Sequence, residues 1–318
     1  FGSRAAELKY SLARSTFHLG HTFSSMPEYT GEESLEEWEV DPSTIQLLDK
    51  VGTGCTAEVF RGVWKGGVVA VKTIEWNKST MDKKQQRAFD REVGIMPRMN
   101  HDNLVKFMGV ASKETPFRII TEFCAGGCCF ELLHNSDHIE LGWNQQHKMC
   151  QDVARAMDYL HKFSPQIIHR DLKSLNLLLR EPVNGPKDTP HVKVADFGLS
   201  RMKDHTSDAD WGKMTIAAGT CHWMAPEVFT GSKYDEKVDV YSYAMILFEV
   251  LCREIPFEEE EPARVGTLAQ AGARPDLEAV PPDCPGALRD LMIVCWAHDS
   301  KKRPSFDMIV TVLDTLRF

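Results

Sequence analysis

An α+β fold is predicted by the order in which strand-like and helix-like segments follow each other along the chain. A glycine-rich turn between two strands is predicted at 51–59, strand-like apolar runs follow at 69–72 and at 118–127, where the run enters a Gly-Gly break, and a long apolar stretch comes later, at 234–252. The chain has 318 residues, enough for two lobes with a sizeable buried core. We therefore expect strands to dominate the first part of the fold and helices the second.

The predicted glycine-rich turn, residues 51–59, has the sequence V-G-T-G-C-T-A-E-V. Glycines such as Gly52 and Gly54 let backbone N–H groups approach a phosphate closely. The pattern alone is as typical of an ordinary hairpin turn as of a nucleotide site, and Ala57 stands where a third glycine would be expected. Lys72, which ends the next run, favours the nucleotide site, since a dinucleotide-binding fold would have an acidic residue near that position, after a helix.

A helix is predicted over residues 81–99, with Phe89 and Val93 on its apolar face. Glu92 lies on this helix. Most glutamates in such a charged stretch are solvated. Glu92 is therefore either a surface acid or the partner of a cation such as Lys72.

The most informative segment of the chain is the run H-R-D-L-K-S-L-N at 169–176, which is followed, twenty residues after its Asn, by D-F-G. A hydroxyl that attacks a phosphate needs a carboxylate to orient it and accept its proton, and a second carboxylate and an amide can hold Mg²⁺. Asp171, Asp196 and Asn176 can fill these roles. Lys173 could add positive charge where the transferring phosphoryl group becomes most negative.

These two motifs resemble the H-R-D-L-K-x-x-N and D-F-G signatures of the eukaryotic protein kinases, and the similarity extends from about Trp38 to the end of the chain. The G-T-x-x-W-M-A-P-E form at 219–227, together with Lys173, resembles the serine/threonine kinases of the tyrosine-kinase-like group, which includes the Raf and mixed-lineage kinases. The resemblance implies a bilobal fold, in which a small, mostly antiparallel β lobe with one main helix precedes a larger, mainly α-helical lobe.

The resemblance also implies a domain organisation and a set of site residues. Residues 1–37 are expected to be a linker or juxta-domain segment, 38–124 the N-lobe and hinge, and 125–318 the C-lobe. The expected catalytic residues are Asp171, Lys173, Asn176, Lys72 and Glu92, and Asn176 and Asp196 are expected to hold Mg²⁺. The expected ATP-binding residues are Val51, Gly52, Gly54, Val59, Ala70, Lys72, Thr121, Glu122, Cys124, Leu178 and Asp196.

Within that set, Glu92 is chosen as the partner of Lys72 because the following residues, 99–105, resemble the family's helix-to-strand connector. Thr121 takes the gatekeeper position, and the backbone of Glu122 and Cys124 is expected to bind the adenine edge. Many kinases have an acidic residue that binds the ribose hydroxyls at the position of Cys128. Because a cysteine stands there in this chain, that ribose contact is not predicted.

The activation segment is expected to run from Asp196 to Glu227, and Glu227 is expected to pair with Arg303. Arg170 can bind a phosphate placed on this segment. Thr215 is the favoured phosphorylation site. Thr206 and Ser207 are alternatives, and each of the three could equally be a polar loop residue.

Three further structural features are expected in the larger lobe. The stretch 234–252 should be a buried helix, with Asp239 bonding the catalytic-loop backbone. His169 should pack under Phe197 rather than act as an acid or base. The Pro- and Gly-rich insertion at 180–190 should form an exposed loop that leaves the metal site intact.

Composition excludes several other functions. A net charge of −9 argues against a nucleic-acid or acidic-membrane binder, and the apolar core of the stretch at 234–252 is too short to span a bilayer. Nine cysteines without a paired framework or a signal peptide are typical of reduced thiols, which favours a cytoplasmic location, and their spacing does not suggest zinc.

Three functions remain open. The intact catalytic set favours an active, Mg²⁺-ATP-dependent serine/threonine kinase acting on protein substrates. A pseudokinase scaffold would usually have lost at least one of those residues. A third possibility is a kinase that works mainly as a component of an assembly, with a regulatory partner bound through residues 1–37.

Overall fold

The computed structural model describes residues 35–53, 57–74, 89, 93–197, 200–202, 221–231 and 233–318. The predictions that concern Gly54, Glu92, and Thr215 with its alternatives Thr206 and Ser207 lie outside these residues.

The N-terminal lobe is built on a five-stranded antiparallel sheet with strand order β1-β2-β3-β5-β4. Its third strand is rich in β-branched residues, which pack well on a pleated, half-buried surface. Val69 and Val71 are fully buried on one face, whereas Ala70 and Lys72 are half-buried on the other. The strands are β1 (Gln46–Thr53), β2 (Glu58–Trp64), β3 (Gly67–Ile74), β4 (Phe107–Ala111) and β5 (Phe117–Glu122).

The larger lobe is mainly helical. Two short antiparallel pairs, β6 with β9 and β7 with β8, carry the loops of the candidate site. The short strands are β6 (Ile167–Ile168), β7 (Leu177–Leu179), β8 (Val192–Val194) and β9 (Arg201–Met202). The α-helices of the described part are α1 (Cys129–His134), α2 (Trp143–Lys162), α3 (Lys237–Cys252), α4 (Pro262–Gln270), α5 (Gly286–Cys295) and α6 (Phe306–Thr315).

Helix α3 forms the centre of this lobe, and all of its residues from Val238 to Leu251 are buried. A helix that is apolar on every side must be surrounded by protein, and α3 is packed by α2, α5 and the segment that contains Trp223. The expectation of a buried helix within residues 234–252 is confirmed.

The insertion at 180–190 is an exposed loop, as predicted, although Val183 is buried. The Gln145 amide anchors the loop by donating hydrogen bonds to the carbonyl oxygens of Gly185 and Asp188, at 2.9 and 2.8 Å. Because β7 and β8 pair on either side of the loop, their register is kept.

The start of the described chain is fastened to the N-lobe sheet. The Glu39 carboxylate accepts hydrogen bonds from the backbone N–H and the hydroxyl of Ser112, at 3.0 and 2.8 Å, and the Trp38 and Phe107 rings lie 5.2 Å apart. The domain limits at residues 37/38 and 124/125 stay predictions. No helix in the part of the chain that the structure describes has the length and apolar character needed to cross a bilayer.

Candidate active site

The catalytic loop brings Asp171, Lys173 and Asn176 into direct contact. Lys173 Nζ lies 3.0 and 2.9 Å from the two carboxylate oxygens of Asp171. Asn176 Nδ2 donates to the backbone oxygen of Asp171 at 2.8 Å and to its Oδ2 at 3.0 Å. Asp171 and Asn176 are both buried. The carboxylate is therefore held in one orientation beside a cation, as an oriented proton acceptor requires.

The start of this loop is fixed by Asp239 of α3, as predicted. Its carboxylate accepts hydrogen bonds from the backbone N–H groups of His169 and Arg170, at 2.9 and 2.8 Å. Arg170 has a φ of +71°, a left-handed conformation that costs free energy in a non-glycine residue. The hydrogen bond from the Arg170 N–H to Asp239 helps to hold this conformation, which directly precedes Asp171.

His169 connects the catalytic loop to the D-F-G segment. One ring nitrogen, Nε2, lies 3.1 Å from the Ala195 carbonyl oxygen, and the other, Nδ1, lies 3.3 Å from the N–H of Asp171. The ring packs edge-on against Phe197 with centroids 5.3 Å apart. Both nitrogens face the backbone, so the predicted packing role is confirmed.

Asn176 and Asp196 lie at the end of the site where a metal would bind. The Ala195 N–H donates to the Asn176 carbonyl oxygen at 2.9 Å, which places Asp196 next to the catalytic loop. The amide nitrogen of Asn176 is already bonded to Asp171, so its oxygen is the atom available as a ligand. One amide oxygen and one carboxylate suit a hard divalent cation that takes its remaining ligands from phosphate and water. The donor set therefore fits the predicted metal site.

The nucleotide residues predicted on the sheet lie on adjacent strands. Val59 is paired with Gly52 on one side and with Lys72 on the other. Ala70 is paired with Thr121. Lys72 Nζ lies 3.4 Å from Asp196 Oδ1, which joins the sheet to the metal end of the site. Val51 is exposed near the end of β1, and Leu178 lies on β7, where it forms a bridge with Cys128.

The hinge limits which backbone groups can bind a ligand. The Glu122 N–H donates to the Lys106 carbonyl oxygen at 3.0 Å, so a ligand must use the Glu122 carbonyl. Beyond it, a Cβ on Gly126 would lie 2.4 Å from the Glu181 carbonyl oxygen, so only glycine lets the chain turn this close to the larger lobe. The Cys124 carbonyl oxygen accepts a hydrogen bond from the Gly127 N–H at 3.4 Å. The N–H of Cys124 is therefore the group expected to donate to adenine.

The end of the activation segment is held by an ion pair with a buried arginine. Arg303 is 2% exposed and makes a two-pronged contact with the Glu227 carboxylate, with Nη2 2.9 Å from Oε2. The predicted pairing of these residues is confirmed.

Sequence reasoning missed Glu249, a fully buried acid near the end of α3. Its carboxylate lies 3.0 Å from His134 Nε2 of α1 and accepts bonds from Trp223 Nε1, at 2.6 Å, and from the Ser174 hydroxyl. Burial raises the pKa of Glu249, against the three hydrogen bonds, which lower it. An acidic residue within the longest apolar run of the chain was the signal that could have identified it.

Three cysteines lie near the hinge, Cys124, Cys128 and Cys129. Eight cysteines of the described residues are free thiols, and in that part of the chain no group of three or more His, Cys, Asp and Glu side chains could hold a metal. Burial raises the pKa of Cys124 to about 12 and also raises that of Cys128. Both thiols are therefore protonated at neutral pH.

A lobe of antiparallel strands joined by a short hinge to a helical lobe, with an Asp–Lys–Asn cluster at the junction, is the architecture of the protein kinases. A family model described as protein tyrosine and serine/threonine kinase matches residues 45–313. The chain belongs to this family. Its predicted bilobal fold is confirmed.

Curated relatives agree with this assignment. The serine/threonine-protein kinase VIK of Arabidopsis thaliana is 36% identical over 88% of this chain and 62% of its own length. The probable serine/threonine-protein kinase SIS8 is 37% identical over 90% of the chain and 26% of its own length, and the serine/threonine/tyrosine-protein kinase HT1 is 36% identical over 88% and 68%, both from the same plant. The chain thus spans less than two thirds of VIK and about a quarter of SIS8.

These findings confirm the expectation of a serine/threonine protein kinase domain of the tyrosine-kinase-like group, and nothing in them favours a pseudokinase. Members of this family in general use ATP with a divalent metal and act on protein substrates.

Proposed function

We propose that this chain transfers the γ-phosphate of Mg²⁺-ATP to serine and threonine hydroxyls of protein substrates. The observation that supports it best is the contact of Asp171 with both Lys173 and Asn176, next to the Asp196–Lys72 pair. The side chains proposed here as proton acceptor, cation and metal ligands are thus close enough to act on one phosphoryl transfer, which supports the proposal.

Each residue has a chemical role in this reaction. Asp171 orients the substrate hydroxyl and accepts its proton, and the ammonium of Lys173 stabilises the negative charge that develops on the transferring group. Lys72 binds the α- and β-phosphates. Asn176 and Asp196 would hold Mg²⁺, which neutralises phosphate charge when it is bound.

Replacing Asp171 with Asn tests the proposal. The variant removes the proton acceptor, so we expect turnover to fall by about 10²- to 10⁴-fold while ATP affinity stays nearly unchanged. Transfer of labelled phosphate to a basic protein, with phosphoserine, phosphothreonine and phosphotyrosine resolved, measures turnover, and Asp314→Asn on the exposed end of α6 is the control. Equal turnover in the Asp171 variant and the wild type would refute the assignment.

Regulation and location are part of the same proposal. Phosphorylation of Thr215 would create an anion that the buried Arg170 could bind, and this contact would order the activation segment. If the Thr215→Ala variant is as active as the wild type after preincubation with ATP, the assignment of Thr215 as the phosphorylation site is wrong. A regulatory partner would bind through residues 1–37, and the acidic net charge and reduced thiols support a cytoplasmic protein that does not bind nucleic acid.

A further inference from the structure

The catalytic loop exposes one large apolar side chain, that of Leu175. Ser174, Leu175 and Asn176 form a single 3₁₀ turn directly after Lys173. Side chains in such a turn point about 120° apart, so they do not all face the interior. Ser174 is fully buried and Asn176 is 9% exposed, whereas Leu175 is 43% exposed. Leu175 is therefore the side chain that this turn offers to a molecule bound beside the loop.

Leu175 lies close to the group proposed to receive the substrate hydroxyl. Its neighbour Asn176 donates to Asp171 Oδ2 at 3.0 Å, and consecutive Cα atoms are about 3.8 Å apart. An extended chain rises about 3.3 Å per residue, so a substrate bound at Asp171 covers about 10 Å in three residues. A substrate residue within three positions of the phosphoacceptor can therefore contact Leu175.

A second apolar side chain, Phe130 of α1, lies beside the same turn. The Ser174 hydroxyl and His134 Nε2 both bond Oε1 of Glu249, so these two groups are close together. The Phe130 ring packs against the His134 ring with centroids 4.7 Å apart, and α1 packs against the turn. Phe130 is only half-buried. The surface beside the catalytic loop thus contains apolar groups from two separate elements.

The acids close to this surface already have partners. Glu249 is fully buried, and its carboxylate is in contact with three hydrogen-bonding side chains. Glu131, which follows Phe130, accepts a hydrogen bond from Asn135 Nδ2 at 2.7 Å. A basic substrate residue would have to be desolvated to approach Glu249, which is unfavourable. An apolar residue gains free energy at this surface, since it removes its own area and that of the leucine from water.

These contacts indicate which substrate residues the site selects. We infer that Leu175 is a specificity-determining residue, which together with Phe130 binds an apolar side chain of the substrate within three positions of the phosphoacceptor. The inference rests on the proposed function, because the substrate has to pass Leu175 only if its hydroxyl is bound at Asp171.

Peptide kinetics test this selectivity. Each peptide has one acceptor serine in a glycine-rich background, and Leu, Arg or Ser is placed in turn at each of the three positions on either side. We expect one position at which Leu raises kcat/KM about tenfold over Ser. The gain should come from a lower KM, because the contact is the same in the ground state and the transition state. Equal kcat/KM at every position would overturn the inference, and would leave Leu175 as a surface residue or a contact for another protein.

Two substitutions of Leu175 assign the preference to this side chain. In Leu175→Ser, the KM of the Leu peptide should rise about tenfold, to that of the Ser peptide. In Leu175→Glu, the preference should change from Leu to Arg at the same peptide position, because a carboxylate pairs with a guanidinium. A Leu175→Glu variant that still prefers Leu to Arg would show that another residue selects the substrate.

An equally exposed leucine provides the control. Single exposed leucines are common on protein surfaces, and most have no binding role. Leu48 of β1 is 40% exposed and lies in the other lobe. Leu48→Ser should keep the preference of the wild type for the Leu peptide. Because both positions are exposed, the melting temperatures of the variants should equal that of the wild type, so that altered kinetics cannot be a result of unfolding.

Binding without turnover keeps this inference apart from the proposed function. Fluorescent peptides in which alanine replaces the acceptor serine give Kd values by anisotropy. A wild type that binds the Leu peptide more tightly than the Ser peptide but transfers no phosphate contradicts the proposed function alone. A fully active wild type that binds both peptides equally contradicts only this inference.

Discussion

The buried side chain of Asp239 holds the backbone at the start of the catalytic loop in place. Its carboxylate accepts the backbone bonds of His169 and Arg170 and lies 2.9 Å from His161 Nε2. Burial raises the pKa of this carboxyl, but the hydrogen bonds from His161 and from the Arg170 backbone outweigh burial and lower the pKa below its ordinary value. Asp239 is therefore a charged acceptor on which the catalytic loop depends.

Replacing Asp239 with Asn should destabilise the protein by about 3–5 kcal/mol, because an amide nitrogen would then face N–H donors in a buried site. Urea unfolding at pH 7 measures the difference, and Asp314→Asn, at an exposed position, is the control. A loss below about 1 kcal/mol would mean that the backbone bonds contribute little beyond an ordinary hydrogen bond.

The same variant has a predictable pH dependence. Since the folded pKa of Asp239 is lowered, its stabilising effect is present above the unfolded value of about 3.9 and is lost as the pH falls through the folded pKa. The stability difference between wild type and Asp239→Asn should therefore shrink as the pH falls below about 4. A constant difference between pH 7 and pH 3 would contradict this.

Motifs allowed residue roles to be predicted where a short sequence carries the chemistry, as for Asp171 and Asn176. The contacts of Asp239 and Arg303 were predicted from family resemblance and are confirmed. Glu249 and Lys193 belong to no motif. Their partners are far away in sequence, 115 positions for Glu249 and His134, so these contacts become visible only in the folded chain.

At the scale of elements, α3 holds the catalytic loop at both ends. Asp239 in its first turn bonds the start of the loop, and Glu249 in its last turns bonds Ser174, directly after Lys173. At 1.5 Å per residue these acids are about 15 Å apart along the helix axis. The helix thus acts as a rigid support for the loop that contains Asp171.

Glu249→Gln tests this support. Glutamine keeps the volume and can accept a bond from Trp223, but its NH₂ cannot accept one from Ser174 or His134. We expect kcat/KM for a protein substrate to fall about tenfold, equivalent to about 1.4 kcal/mol of transition-state stabilisation, with little change in the Kd of ATP.

Steady-state kinetics on both substrates measures this effect. Glu260→Gln, which removes a surface pair with Arg264, is the control, and Ser174→Ala should reproduce part of the loss. A Glu249→Gln enzyme with a normal kcat/KM for its protein substrate would show that α3 does not support the loop through this residue.

Element types were predictable from apolar periodicity, but their environments were not. Residues 191–195 alternate as a strand should, which would place Lys193 on a solvent face. The structure buries it at 5% exposure, because the segment before β4 covers that face and the Leu104 carbonyl accepts a bond from it. Which face of a strand is covered depends on segments that are distant in the sequence.

At the scale of the whole molecule, the proposed nucleotide site takes residues from both lobes. A ligand bound only by the folded state raises the unfolding free energy by about 2.7 kcal/mol at a concentration of 100 Kd. We expect Mg²⁺-ATP to raise the melting temperature of the wild type, and Asp196→Asn to lose the part of this shift that depends on Mg²⁺.

Differential scanning fluorimetry with ATP, with and without Mg²⁺, measures both parts. Adenosine is the internal control, since its stabilising effect should be the same in the wild type and in the Asp196 variant. A Mg²⁺-dependent shift of equal size in both proteins would show that the metal is held by other residues.

The two-lobed architecture followed from the order of motifs along the chain. The arrangement of the lobes did not, because it depends on single contacts between segments such as the ion pair of Glu122 with Lys193. The predictions for Gly54, Glu92 and Thr215 stay predictions.

The raised thiol pKa values have a consequence for reagents directed at cysteine. All eight free cysteines of the described residues have raised pKa values, chiefly through burial. A thiol with a pKa of about 12, such as Cys124, has a thiolate fraction on the order of 10⁻⁵ at pH 7. Maleimides, chloroacetamides and peroxide will react slowly with these thiols, so an irreversible inhibitor of this domain needs a target other than the hinge cysteines.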